Sequence, residues 1–175
     1  DVRLKHAAAE FRIEEGEKVA YCEHDGKRVR IPFDQVLVAV GRAANTAGLN
    51  LERIGVDTLP NGTVPVEEDM SLRYPNVFAC GDVAGPYQFT HAAAHQAWYA
   101  AVNGLFGQFK RFKVDYRVMP WVTFTSPEVA RVGLSEAEAK AQGVAYEVTR
   151  YGIDDLDRAI AESEDHGFIK VLTPP

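Results

Sequence analysis

The sequence is 175 residues long, 46% hydrophobic and 25% charged, with 19 basic against 25 acidic side chains and a net charge of −6. That length suits one ordinary domain or two small ones, and the acidic balance argues against a general binder of nucleic acid or anionic membrane. No apolar run approaches the roughly 18 residues of a membrane-spanning helix, no signal peptide is expected at Asp1, and Cys22 and Cys80 show neither metal nor redox spacing, so a reducing, cytoplasmic setting is expected.

Residues 1–42 read as strands. AEFRIEE, EKVAYCE and KRVRIPF are separated by turns at EEGE and HDG, which predicts a three-stranded antiparallel meander with Asp25-Gly26 as its clearest turn. VLVAVG (36–41) is continuously apolar, as a strand buried on both faces should be, and ends in Gly41-Arg42.

Residues 43–116 open with NTAGLNLERIGV, a polar, glycine-punctuated loop or short helix. LPNGTVPV carries an Asn61-Gly62 turn signal and predicts a small hairpin. NVFACGD reads as a second buried strand. HAAAHQAWYAAVNGLFG predicts a helix capped by Thr90 and closed near Gly104 or Gly107. KRFKVDYR (110–117) reads as a basic, solvated connector.

From residue 117 the rhythm changes. MPWVTFT and VARVGL are strand-like on either side of an SPE turn. Ser135 and Glu138 have the spacing of a capping box and open a short helix closed by Gly143. AYEVTRYGI and GFIKVL alternate again, so this part predicts the start of an α+β domain. The chain begins without methionine and stops just after an apolar strand pattern, so a piece of something larger is expected.

The stretch VFACGDVAGPYQFTHAAAHQA (77–97) places one carboxylate, Asp82, after a strand pattern and close to the start of an alanine-rich helix. A carboxylate there can accept hydrogen bonds from two neighbouring hydroxyls. The helix start offers unpaired N–H groups and partial positive charge to a carbonyl or phosphate. Ala92, Ala93 and Ala94 would let the helix approach a flat ligand or a strand. Taken alone, Gly81-Asp82 reads first as a plain strand-end turn. His91 and His95 have a spacing that can bind metal, but no third ligand is placed nearby, so no metal is expected. Trp98, Tyr99, Phe106 and Phe109 read as core or interface aromatics. Cys80 reads as a buried, inert thiol, and Cys22 as similar. Asp154, Asp155, Asp157 and Arg158 read as a surface loop or, more sharply, as an Asp157–Arg158 contact at a domain or subunit boundary.

Taken together, VLVAVGRAANT (36–46), GTVPVEEDMSLRYPNVFACGDVAGPYQFTHAA (62–93) and FTSPEVARVGLSEAEAKAQG (124–143) closely resemble the C-terminal half of the pyridine nucleotide-disulfide oxidoreductases. DDLDRAIAESEDHGFIKV looks most like the mercuric-reductase-like members, and dihydrolipoamide-dehydrogenase-like members are also similar. The resemblance implies an α/β architecture: 1–42 as the end of a NAD(P)-binding domain, 43–116 as the returning part of an FAD-binding domain, and 117–175 as the first half of an α+β interface domain that makes a homodimer. It implies that Gly81, Asp82 and Val83 meet FAD, with Asp82 on a ribityl hydroxyl, and that Gln88, Phe89, Thr90 and His91 run along the flavin. Gly41 would lie near the nicotinamide nucleotide and Arg42 near the flavin side.

The family's glycine-rich pyrophosphate loop, cysteine pair, and general-base histidine with its glutamate have no counterpart here. The resemblance therefore implies half of a cofactor site and no catalytic residue. The parent would be an oxidoreductase passing hydride from NAD(P)H to FAD and electrons to a cysteine pair and a small-molecule disulfide or metal-ion substrate. A diaphorase or transhydrogenase without the cysteines, and a non-catalytic dimerisation or binding module on the same scaffold, are the alternatives.

Overall fold

The computed structural model describes all residues, 1–175, and the chain divides into two compact units, 1–42 and 43–175. The first is the expected meander. Strands β1 (Ala7–Glu14), β2 (Glu17–His24) and β3 (Lys27–Pro32) pair antiparallel in the order β1-β2-β3. Its second turn holds Asp25 at φ 49° and Gly26 at φ 71°, the paired positive angles of a tight hairpin whose twist matches its strands. One face carries an ion-pair lattice in which Glu10 meets Arg12 and Arg28, and Arg30 meets Glu14 and Glu17. The Arg28 guanidinium lies 4.1 Å above the Tyr21 ring.

VLVAVG departs from expectation. Residues 36–41 form no strand, and Leu37 and Val40 are 90% and 91% exposed. A doubly buried strand needs neighbours on both edges and layers on both faces, and the chain provides none beside this segment.

In the second unit, a small apolar core of Val56, Val64 and Leu72 gathers Leu51, Val66, Val77 and Ala79. A single 3-10 turn (Leu51–Ile54) fills the segment read as a loop or short helix. Asn61-Gly62 makes its turn, with hydrogen bonds from Leu59 N to Thr63 O (2.8 Å) and Gly62 N to Leu59 O (2.8 Å), but no ladder grows from it. The second buried strand is also absent. Residues 76–82 make one antiparallel bridge, Ser71 to Phe78, and then a 3-10 turn at Gly81–Val83.

Helix α1 (Thr90–Phe106) is the main element of this unit. Thr90 is its first residue and not its cap. Phe89 occupies the cap position, where its carbonyl accepts from Ala93 N (2.9 Å), and its side chain has no oxygen to offer the first turn. Gly104 stays inside the helix, and Gly107 closes it. The connector 110–117 is not a solvated linker. Asn103 grips it by receiving Phe112 N (2.8 Å) and donating to Phe112 O (2.8 Å), Val114 N donates to Glu68 O (2.8 Å), and Arg111 pairs with Asp69.

Beyond it, β4 (Trp121–Thr123) and β5 (Val129–Arg131) form one antiparallel hairpin, and β6 (Glu147–Gly152) and β7 (Phe168–Thr173) another. Between them, α2 (Glu136–Ala141) starts on the expected capping box: Glu138 N donates to Ser135 Oγ (3.3 Å) and Ser135 N to Glu138 Oε2 (2.8 Å). The acidic cluster is partly helical, as α3 (Asp157–Ala161), and Arg158 pairs with Glu162 one turn on and not with Asp157.

Candidate functional site

The turn at 81–85 owes its shape to its smallest residue. Gly81 is buried at φ +80°, a conformation that L side chains rarely adopt, and a Cβ there would stand 3.4 Å from Ala93 Cβ. The turn therefore lies directly against α1. Val64 N donates to Val83 O (2.7 Å), which fixes its outer side to the core. Asp82 and Val83 are half-buried.

A residue that sequence reasoning missed holds the turn in place. Gln96, fully buried on α1, accepts a hydrogen bond from Gly81 N (2.6 Å) at Oε1. Its Nε2 donates to Gly85 O (2.7 Å) and to the Tyr116 hydroxyl (2.8 Å). One amide thus clasps both ends of the turn and ties them to the connector. The available signal was spacing: Ala92, Gln96 and Asn103 fall at i, i+4 and i+11, along the buried stripe of α1.

The helix start has no side-chain cap, so its first-turn N–H groups and the positive end of the helix dipole remain available to an electron-rich group. Around it stand aromatic rings. Tyr87 meets Phe89 (6.1 Å), Tyr116 (5.3 Å) and Trp121 (5.6 Å), and Phe89 stacks on His91 (5.2 Å). Gln88 and Phe89 are half-buried, while Thr90 and His91 are exposed.

The two histidines do not converge. His91 Nε2 donates to Pro120 O (2.8 Å), and His95 Nε2 to Asp115 O (3.0 Å). Burial lifts the Tyr116 hydroxyl above its ordinary pKa, against the pull of its bond from Gln96. Residues 81–91 are brought together within the second unit; Gly41, exposed at φ +107°, and Arg42 are part of the first.

Other expectations need correction. Cys80 is half-buried because its strand does not form, although Cys22 is buried as expected. Of the two readings of the aromatics, core or interface, Trp98, Phe106 and Phe109 leave only the second. Phe109 is 81% exposed, and Trp98 and Phe106 are more than half exposed on α1, although Trp98 meets Phe112 (5.6 Å).

A family model described as pyridine nucleotide-disulphide oxidoreductase matches residues 1–97, and the dimerisation domain of the same description matches 119–174. Among curated proteins, a dihydrolipoyl dehydrogenase of Chlamydia muridarum is 36% identical over 165 residues, covering 90% of the chain and 35% of that protein. A mercuric reductase of Staphylococcus aureus is 40% identical over 152 residues, covering 87% and 27%. The chain thus spans about a third of the length of the curated relatives it matches.

Among solved structures, LpdA from Mycobacterium tuberculosis superposes with a TM-score of 0.82 at 25% identity, over 97% of this chain and 36% of that one. A Cu(II) complex of the HOCl-induced flavoprotein disulfide reductase RclA from Escherichia coli does so at 0.81 and 26%, over 99% and 38%.

Proposed function

The chain belongs to the pyridine nucleotide-disulphide oxidoreductase family, and we propose that it supplies one wall of the FAD site and part of the dimer interface of an NAD(P)H-linked oxidoreductase. The observation that carries this reading is the 81–85 turn, clamped by Gln96 beside an uncapped helix start. These residues fit a flavin. A half-buried carboxylate suits vicinal hydroxyls, an uncapped helix end suits a carbonyl oxygen, and a glycine cradle keeps the turn against α1, where a Cβ would press on Ala93.

When bound, FAD supplies the hydride and electron chemistry. Asp82 would orient the ribityl chain by accepting hydrogen bonds from its hydroxyls. Val83 and Gln88 shape the rim, and Phe89, Thr90 and His91 line the approach to the helix. The N–H groups at the start of α1 would favour negative charge on a bound flavin. Gly41 serves the nicotinamide nucleotide and Arg42 the flavin side. The domain assignment 1–42, 43–116 and 117–175 follows the same reading. No residue of this chain carries the electron transfer to a small-molecule disulfide or metal-ion substrate, and the isolated chain is inactive. Two free cysteines that do not pair support a reducing, cytoplasmic setting.

The test is flavin retention by the full-length protein. Wild type should purify with flavin, and Asp82→Ala should bind FAD at least tenfold more weakly while remaining folded. Equal binding by the two proteins would remove Asp82 from the site.

A further inference from the structure

We infer that Gln96 is a positioning residue for the flavin-binding turn, and that Tyr116 extends its grip to the segment leading into the dimerisation domain. The inference rests on the flavin reading above and goes beyond it, because Gln96 is buried and acts through the turn. Its side chain is fully buried, and every polar atom on it has a named partner.

The partners explain why an amide is needed. Oε1 must accept from Gly81 N–H while Nε2 donates to Gly85 O and Tyr116 Oη. A carboxylate would accept at Gly81 but would face the Gly85 carbonyl with a second acceptor. An aliphatic side chain would leave a buried N–H and a buried carbonyl unpaired, each at a cost of about 1–3 kcal/mol. Asp82 lies between the two clasped residues, so the position of its carboxylate follows from the clasp. Tyr116 sits on the connector that Asn103 fastens to α1, and its ring packs edge-on to Tyr87 (5.3 Å). The turn, α1 and the entry to the dimerisation domain therefore share one buried amide.

The experiment is a double-mutant cycle on the full-length holoprotein, with FAD dissociation read by flavin fluorescence, flavin visible circular dichroism as a second readout, and thermal stability of the apoprotein as a control. Gln96→Met should weaken FAD binding at least tenfold and alter the flavin dichroism. Gln96→Glu should rescue less than half of that loss. Tyr116→Phe, which deletes only one hydroxyl, should weaken binding two- to fivefold with the apoprotein melting temperature nearly unchanged. In an Asp82→Ala background, both Gln96→Met and Tyr116→Phe should have little further effect, because the carboxylate they aim is gone.

Additive losses, or wild-type FAD affinity in Tyr116→Phe and Gln96→Glu, overturn the inference and leave the flavin reading standing. A wild-type protein that binds no FAD overturns both. If Gln96→Met does not fold, Tyr116→Phe and Gln96→Glu decide the matter by themselves.

Discussion

Two glycine-scale and carboxylate-scale features set the local energetics. At Gly81, the left-handed backbone and the nearby Ala93 methyl act together. Gly81→Ala should lower unfolding stability by about 1–2 kcal/mol, the ordinary cost of a side chain in that conformation, as read by denaturant titration. Asp69 shows a different balance. Burial raises its carboxyl pKa, but the Ser71 hydroxyl, the Ser71 N–H and Arg111 outweigh that and hold it below the ordinary value. A carboxyl depressed in the folded state stabilises above its unfolded pKa, and that stability is lost as pH falls through the folded one. Asp69→Asn should therefore lower stability at neutral pH and flatten the acid limb of the stability profile. An unchanged limb would show that Asp69 is not a contributor.

At the scale of elements, buried amides and caps decide what holds. Asn103 closes the end of α1 onto the connector through two bonds, from its Nδ2 to Phe112 O (2.8 Å) and from Phe112 N to its Oδ1 (2.8 Å), and its Nδ2 also donates to Asp69 O (2.9 Å). Asn103→Ala leaves these half-buried backbone groups without that partner and should cost about 1–3 kcal/mol, with faster amide exchange confined to residues 110–116. In α2, the Ser135 N–H, Arg131 and the Ser135 hydroxyl draw Glu138 down to about 2. Its contribution is present above the ordinary carboxylate range and fades as pH approaches that value. Ser135→Ala should cost about 0.5–2 kcal/mol, the usual loss on removing an N-cap, and a smaller change would mean the box is incidental.

This scale also shows what the sequence could and could not reveal. The meander and the capping box were legible because turns and caps are fixed by neighbours in the chain. VLVAVG and NVFACGD were misread because an apolar run forms a strand only where other strands accept its hydrogen bonds. Gln96 was missed because a single glutamine in an alanine-rich helix looks like a surface residue, and only its alignment with Ala92 and Asn103 marks the buried stripe.

At the scale of the molecule, the uncovered apolar surface is informative. No helix of the structure is long and apolar enough to cross a membrane, yet Phe124, Val132, Ile160, Phe168 and Ile169 are all more than half exposed within the segment that matches a dimerisation domain. Exposed apolar side chains in such a segment fit an interaction surface. Phe124→Asp, with Phe124 at 82% exposed, should leave folding stability within about 0.5 kcal/mol but shift the full-length protein towards monomer in sedimentation. A dimer of unchanged strength would place the interface elsewhere. The α1 aromatics and residues 36–41 are exposed in the same way, and they were legible as apolar but not as to what covers them.

The central claim is that the turn at 81–85 and the start of α1 hold FAD. The visible absorption spectrum of the purified full-length protein, beside that of its Asp82→Ala variant, tests it most directly. A yellow wild type with the flavin bands and a variant that loses them on gel filtration is the predicted result. A colourless wild type that takes up no added FAD would contradict the account.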